Sequence, residues 1–519
     1  MLFSIKNFFL FKYLFILFPF LLISGPLLSD AFVTLFAIYF IIYSYFNKKI
    51  FFLRKNLIIF FLIFYFYINI NSIFSHNPLV SFSTSAPYVR LILFSVFTAY
   101  LFEKITNLKR IIFFSFLFSY LILFFDSMFQ LILGQNILGY PIVNNRIASF
   151  FRDKLVMGSY VSKTLPILIA ISYLENFKKA NIIRIFLILI SFILIFFSAE
   201  RVSMFYFFIT VLLYLFLLPN KNQFLLNIVI LGISFFLLFF IKPSTVDRVY
   251  KHTLFQFNEK KTSLFSERHE MHFVTAYRMF LEKKFLGHGI KSFRYICDKE
   301  PYSTRDLIES NNRNYSPIDG YYYLKKNFVD SRTFVYYVLE KHKLDFEKKS
   351  KDLEIALISK DSSEIQKAEN LFSLFEKNNL IISIEIKNKI LDTIKSSSKV
   401  SKGDYVFSNN EFENGCNTHP HSFHLQILSE IGLFGYVFFF IFFIYLLLIF
   451  LKDFIKIFFS GGKIKNRNYN SYKLFIILAL IEYLFPIIPS GNFFNNWLSV
   501  IFYFNLAFLL NFYYYNKKN

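Results

Sequence analysis

Cys416-Asn417-Thr418-His419-Pro420-His421-Ser422-Phe423-His424-Leu425-Gln426-Ile427-Leu428-Ser429-Glu430-Ile431-Gly432-Leu433-Phe434-Gly435 joins two unlike parts of this sequence. A long polar segment precedes it, and the apolar run 423–451 that it opens is long enough to cross a bilayer at about 1.5 Å per residue. Three histidines, a proline and a cysteine thus stand where the chain enters a membrane.

The rest of the chain has the composition that this reading needs. Of 519 residues 55% are apolar and 22% aromatic, which places the chain among polytopic membrane proteins rather than soluble domains. Its formal charge of +23 is unevenly spread: 25 of the 34 acidic residues lie between Asp247 and Glu413, where they nearly balance the lysines. The surplus positive charge falls in short loops between apolar runs, so membrane orientation accounts for it and no nucleic-acid partner is required.

Apolar runs of spanning length fall near 8–28, 31–46, 56–75, 87–102, 111–132, 158–176, 181–199, 202–218, 223–242, 423–451, 472–489 and 493–514. Met1 to Asp30 shows Lys6 and an apolar run without a small-residue cleavage site, which predicts a retained first helix. Lys48, Lys49, Arg54, Lys55, Lys104, Lys109, Arg110, Lys178, Lys179, Arg184, Lys221, the stretch Lys452 to Lys473, Lys517 and Lys518 all fall on one side, whereas Ser24–Asp30 and Pro489–Asn496 contain neither Lys nor Arg. Both termini are therefore predicted to be cytoplasmic. The expected fold is an all-α membrane protein of about twelve transmembrane helices. Helices one to nine occupy 1–242, a large, mainly helical outer loop 243–422 lies between helices nine and ten, and the last three helices occupy 423–519.

Within the loop, Ser266 to Leu281 has Phe273, Ala276, Tyr277 and Phe280 at helical spacing and predicts an amphipathic surface helix ended by Gly287-His288-Gly289. Helical patterning returns at 349–395. The two cysteines, Cys297 and Cys416, flank the intervening insertion, and an oxidising outer compartment favours their pairing. In the chain-entropy account such a closure stabilises the ordered loop by roughly 3–5 kcal/mol.

Arg90, Arg146, Arg152, Lys154 and Arg201 run against the charge bias on the outer side. Each can be an interfacial side chain reaching for the headgroups. As a group they also suit an anionic lipid carrier, because guanidinium binds phosphate oxygens bidentately and stays charged. The histidines allow three readings: metal ligands without a nearby carboxylate, a polar cap at the interface, or an acid/base site. With Pro420 in the first helical turn, His421 and His424 are expected three residues apart on one helix face.

His421-Ser422-Phe423-His424-Leu425 followed by Glu430-Ile431-Gly432-Leu433-Phe434-Gly435 resembles the signature of the O-antigen ligase and polymerase superfamily, in which a histidine opens the helix after a large periplasmic loop. Ser198-Ala199-Glu200-Arg201 resembles its Ser-x-Arg segment. Arg268, with Phe285-Leu286-Gly287-His288-Gly289, resembles its periplasmic Arg helix and Gly-x-Gly turn. Gly139, Arg146, Phe150 and Gly158-Ser159-Tyr160 resemble the outer loop before helix six, and Pro486 to Trp497 the outer turn between the last two helices. The resemblance covers most of the membrane half and none of the 300–400 insertion.

It implies a metal-independent glycosyltransferase without cofactor in the bacterial inner membrane, working in lipopolysaccharide biosynthesis. The donor would be an undecaprenyl-diphosphate-linked glycan and the acceptor a lipid A core or glycan hydroxyl, with membrane lipids around it. His421 would be the catalytic base, Arg201 and Arg268 would hold the diphosphate, and Arg146, His419, Ser422 and His424 would be further substrate-contacting residues. Ser422 stands where the family usually has Asn, so a donor amide beside the base is replaced by a hydroxyl. A polymerase extending lipid-linked repeat units, an oligosaccharyltransferase acting on protein, and a flippase or transporter are the competing functions. A transporter is expected to bury ionisable groups in mid-span, where only Asp126 and Glu482 are prominent carboxylates.

Overall fold

A computed structural model describes residues 8–48, 55–143, 145–152, 154–175, 177–218, 220–243, 245–246, 267–299, 301–302, 304, 416–459, 467–486 and 488–514. The patterning at 349–395 and the bulk of the insertion lie outside these residues. The described chain is helical, with two isolated β-bridges in the loop after the sixth helix. The helices are α1 (Phe8–Ser24), α2 (Pro26–Phe46), α3 (Asn56–Ile73), α4 (Pro78–Ser85), α5 (Val89–Lys104), α6 (Leu108–Leu133), α7 (Met157–Leu174), α8 (Ala180–Ser198), α9 (Arg201–Phe216), α10 (Lys221–Ile241), α11 (Glu267–Glu282), α12 (Phe293–Ile296), α13 (Phe423–Phe459), α14 (Arg467–Leu484) and α15 (Asn496–Tyr514). Each of the twelve apolar runs overlaps one of these helices. Among the described residues eight helical stretches are long and apolar enough to cross a membrane, and α1 and α9 are shorter apolar helices.

Among the boundaries that differ from the sequence expectation, two change how the chain turns. The connection expected at Ser24–Asp30 shrinks to Gly25, whose φ of 119° turns the chain, because Pro26 begins α2 at once. Helix α13 begins at Phe423 rather than at Pro420, for reasons given with the site below.

The chain divides into two compact units. The first comprises Met1–Ser266, Phe280–Ser292 and His421–Asn519. In it α7 packs on α14, α8 and α9, and α15 packs on α5, α14 and α2. Aromatic rings fill the contacts: Phe18 meets Phe32, Phe94, Phe116 and Phe504, and Phe61 meets Phe442 and Tyr503. Helix α10 buries only Asn227 and Leu238, so its apolar surface suits the lipid perimeter. Arg90 of α5 is held by Asp30 of α2 at 2.6 Å, which gives this counter-bias residue a structural partner.

One device in this unit concerns backbone rather than side chains. Within α13, Gly432 leaves the helical region at φ 67° and ψ −173°, which breaks the ladder of hydrogen bonds inside an apolar segment. The segment 284–289 supplies the missing partners. Leu433 N donates to Lys284 O at 2.8 Å and Phe434 N to Phe285 O at 3.3 Å, while His288 N and Gly289 N donate to Ser429 O and Glu430 O at 3.0 and 2.6 Å. Tyr67 of α3 donates to Ile431 O at 2.5 Å. On its other side the segment is held by Asn71 Nδ2 on Leu286 O, His76 N on His288 O at 2.7 Å and Ser81 Oγ on Ile290 O at 3.0 Å. Gly287-His288-Gly289 does not end α11, which stops at Glu282; Gly287 lets the segment lie against α13, and Gly289 lets it lie against Ser75 and Ser81.

The second unit comprises Glu267–Met279 and Phe293–Pro420. His272, Thr275, Ala276 and Met279 of α11 are buried at the spacing of one helix face. Cys297 and Cys416 form a disulfide with their Cα atoms 5.1 Å apart.

Candidate functional site

The stretch that opens α13 folds around Ser422. Its hydroxyl accepts from Leu425 N at 3.4 Å, three residues on, so Ser422 is the N-cap and Phe423 the first helical residue. His421 is thereby pushed out of the helix, at a left-handed φ of 53°, and is half-buried. Its carbonyl accepts from Ser490 N at 2.9 Å, and Ser490 Oγ in turn accepts from Phe423 N at 2.6 Å, so Ser490 pins the turn. His421 and His424 consequently do not share a helix face, contrary to the spacing argument.

His424 faces inward. Its Nε2 lies 2.8 Å from Leu484 O, so that nitrogen carries the proton, and its Nδ1 accepts from Tyr436 Oη at 3.0 Å. With both ring nitrogens engaged inside the protein, His424 ties α13 to α14 and contributes to the fold. Two residues further, Gln426 Nε2 donates to Glu430 Oε2 at 3.0 Å and to Asn492 Oδ1 at 2.8 Å, and its Oε1 accepts from Phe493 N at 3.0 Å. Glu430 is fully buried, a carboxylate within a span that the sequence reading passed over.

The second cluster forms where α8 passes into α9. Ala199, at φ 50°, ends α8 and turns the chain so that Glu200 precedes Arg201, the first residue of α9. Glu200 Oε2 accepts from Ser159 Oγ at 2.6 Å and Ser203 Oγ at 2.9 Å, and Oε1 from Gly158 N at 3.0 Å. Arg146 stands 3.6 Å from the same carboxylate, donates through Nε to Ser198 O at 2.8 Å and through Nη2 to Leu155 O at 2.9 Å. Burial pushes the Glu200 carboxyl above the usual carboxylate range, against the opposing pull of the Ser159 hydroxyl and the Arg146 charge. Arg201 is half-buried at the helix start beside this cluster.

These bonds give Arg146 a structural task. Arg146→Ala is expected to destabilise the protein by about 3 kcal/mol, because two backbone carbonyls and a buried carboxylate lose their donor. Arg146→Lys is expected to recover only part of this, since one ammonium cannot reproduce the guanidinium fork. Thermal unfolding in detergent measures both, and an unchanged midpoint with lost activity would instead make Arg146 a substrate ligand.

The first unit therefore holds His421, Ser422, His424, Arg146 and Arg201, and the second holds Arg268 and His419. Arg268 lies on α11, and His419 Nδ1 is 3.0 Å from Thr418 Oγ1. Among the described residues no group of three or more His, Cys, Asp or Glu side chains is arranged to hold a metal ion.

A polytopic helical membrane protein with histidine and arginine at helix junctions is the class that fold and site define. Residues 186–322, about a quarter of the chain, match the family model described as O-antigen ligase, which supports a place in the O-antigen ligase and polymerase superfamily. The matched segment contains Arg201, Arg268 and Gly287-His288-Gly289, and ends well before His421. No curated protein and no solved structure matches the chain.

Proposed function

We propose that the protein is a glycosyltransferase of the O-antigen ligase type, which moves a glycan from undecaprenyl diphosphate to a hydroxyl of the lipid A core at the periplasmic face of the bacterial inner membrane. The observation that carries this reading is the family match across the segment that contains Arg201 and Arg268. The loop charges support the sidedness, with both termini cytoplasmic and the 243–422 stretch outside.

In the proposed reaction the His421 imidazole takes the proton from the acceptor hydroxyl, and the freed oxygen attacks the anomeric carbon as its bond to the diphosphate breaks. Negative charge grows on the departing undecaprenyl diphosphate, and preplaced guanidinium groups stabilise it more than water does. Arg201 and Arg268 take this role, and Arg146 acts indirectly by fixing the turn that presents Arg201. His419 and Ser422 flank the base, Ser422 by capping the helix behind it. Transfer needs neither metal nor nucleotide sugar.

Reconstitution with undecaprenyl-diphosphate glycan tests the acceptor. Product on lipid A core supports the ligase, whereas extension of a lipid-linked repeat unit alone assigns a polymerase. Arg201→Ala is expected to lower turnover 10²- to 10³-fold, the usual cost of removing one transition-state donor, and Arg201→Lys to restore less than a tenth of it. Full activity in Arg201→Lys would show that charge without the bidentate fork suffices.

A further inference from the structure

The first turns of α13 carry polar side chains along one face. Ser422, Gln426 and Glu430 stand four positions apart, about one helical turn each. Gln426 and Glu430 are fully buried, and Asn492, in the turn before α15, is 8% exposed. The Gln426 amide is completely engaged: its two N–H groups go to Glu430 Oε2 and Asn492 Oδ1, and its oxygen takes the Phe493 N–H. Asn492 Oδ1 also accepts from Phe494 N at 2.9 Å. Polar groups inside an apolar bundle are costly, and when satisfied in this way they fix one arrangement of the chain around them.

What they fix here is the turn 490–493. Phe493 is held on three sides: its N–H by Gln426, its carbonyl by Ser499 Oγ at 2.8 Å, and its ring by Phe423 and Phe439, with ring centres 4.9 and 4.7 Å away. Three residues earlier, Ser490 donates its N–H to the His421 carbonyl and accepts the Phe423 N–H on its hydroxyl. The chain of bonds thus leaves α13 at Glu430 and Gln426 and returns to it on either side of Ser422. His421 sits at a φ of 53°, a left-handed conformation that costs about 1–2 kcal/mol and persists where the surroundings impose it. Ser490 is the neighbour that grips this backbone, and the buried network keeps Ser490 in place.

We propose that Ser490 and Asn492, locked by Gln426 and Glu430, are positioning residues that hold the His421 turn and thereby aim the imidazole at the acceptor hydroxyl. This rests on His421 being the base. A general base works only within hydrogen-bond reach of the proton it takes, so a turn that relaxes by about 1 Å costs about 10²-fold in rate.

The test is a double-mutant cycle on the full-length protein in nanodiscs, with undecaprenyl-diphosphate glycan as donor and lipid A core as acceptor. S490A removes the acceptor of the Phe423 N–H and N492A the acceptor shared by Gln426 and Phe494. Each is expected to lower kcat by about 10- to 100-fold while KM for the acceptor stays within about twofold, and S490T, which keeps the hydroxyl, to recover most of the loss. In the H421N background neither substitution is expected to lower the residual turnover further, because a misplaced base and a missing one count once. A general packing defect would lower turnover in both backgrounds alike. Unchanged kcat in S490A, equal losses with and without His421, or a loss in S490T as large as in S490A overturns the proposal. Where N492A does not yield folded protein, S490A against S490T decides alone; where S490A does not, S490C, with a side chain of similar size and a weaker acceptor, is measured in its place with the same expectations. An active H421N would remove the base assignment itself, whereas an inactive H421N with wild-type turnover in S490A overturns only the role of the network.

Discussion

Replacing His421 with alanine is expected to lower glycan transfer by about 10²- to 10⁴-fold, the contribution of a positioned general base. The fold is expected to survive, because what His421 gives to the loop 485–495 is its backbone carbonyl, which alanine keeps. One complication is the left-handed φ of 53°, a conformation that costs alanine about 1–2 kcal/mol and asparagine less. His421→Asn therefore separates chemistry from backbone: it is expected to be as inactive as the alanine variant while unfolding at the wild-type temperature. Transfer measured in nanodiscs beside thermal unfolding decides this, and near-normal turnover in the asparagine variant would remove His421 from the mechanism. His424→Ala is expected to do the reverse. It strips Tyr436 and Leu484 of their partner and lowers stability first.

Gly432→Ala is expected to be among the most destabilising single substitutions in the chain, by about 3 kcal/mol or more. At φ 67° and ψ −173° the residue occupies a region open in practice only to glycine, and a Cβ there would fall onto the Phe285 carbonyl. Moving that carbonyl would unseat Lys284, Phe285, His288 and Gly289 from the broken ladder of α13, leaving backbone groups unsatisfied within a span. Gly287→Ala attacks the same contact from the other side, since its Cβ would lie 2.6 Å from Gly432 N and from the Glu430 carbonyl carbon. Purified yield and unfolding midpoint are the readouts. A wild-type midpoint in both variants would mean that this joint can relax, contrary to its bonding.

The helices were legible because an apolar run carries its own length, and Lys and Arg between runs mark where each ends. Ends set by single-residue chemistry were less so. Pro420 reads as a helix start by propensity, yet the hydroxyl of Ser422 caps the helix two residues later, and that shift moved His421 off the face it would have shared with His424. Gly432 sits in an apolar run whose hydrophobicity gives no sign of a break; only the partner strand of backbone at 284–289, distant in sequence, makes the break tolerable. Arg146 was visible as a charge against the bias, but Glu200, which neutralises it, gains its meaning from Gly158 and Ser159 some 40 residues earlier.

The disulfide has a consequence for how such a protein can diversify. Cys297 and Cys416 are 119 positions apart in sequence, yet their Cα atoms are 5.1 Å apart, a gap that about two extended residues would bridge. Chain entering at one cysteine leaves almost where it came in. What lies between them can lengthen, shorten or be exchanged for another sequence without altering where its two ends must meet, so the pair works as a cassette port.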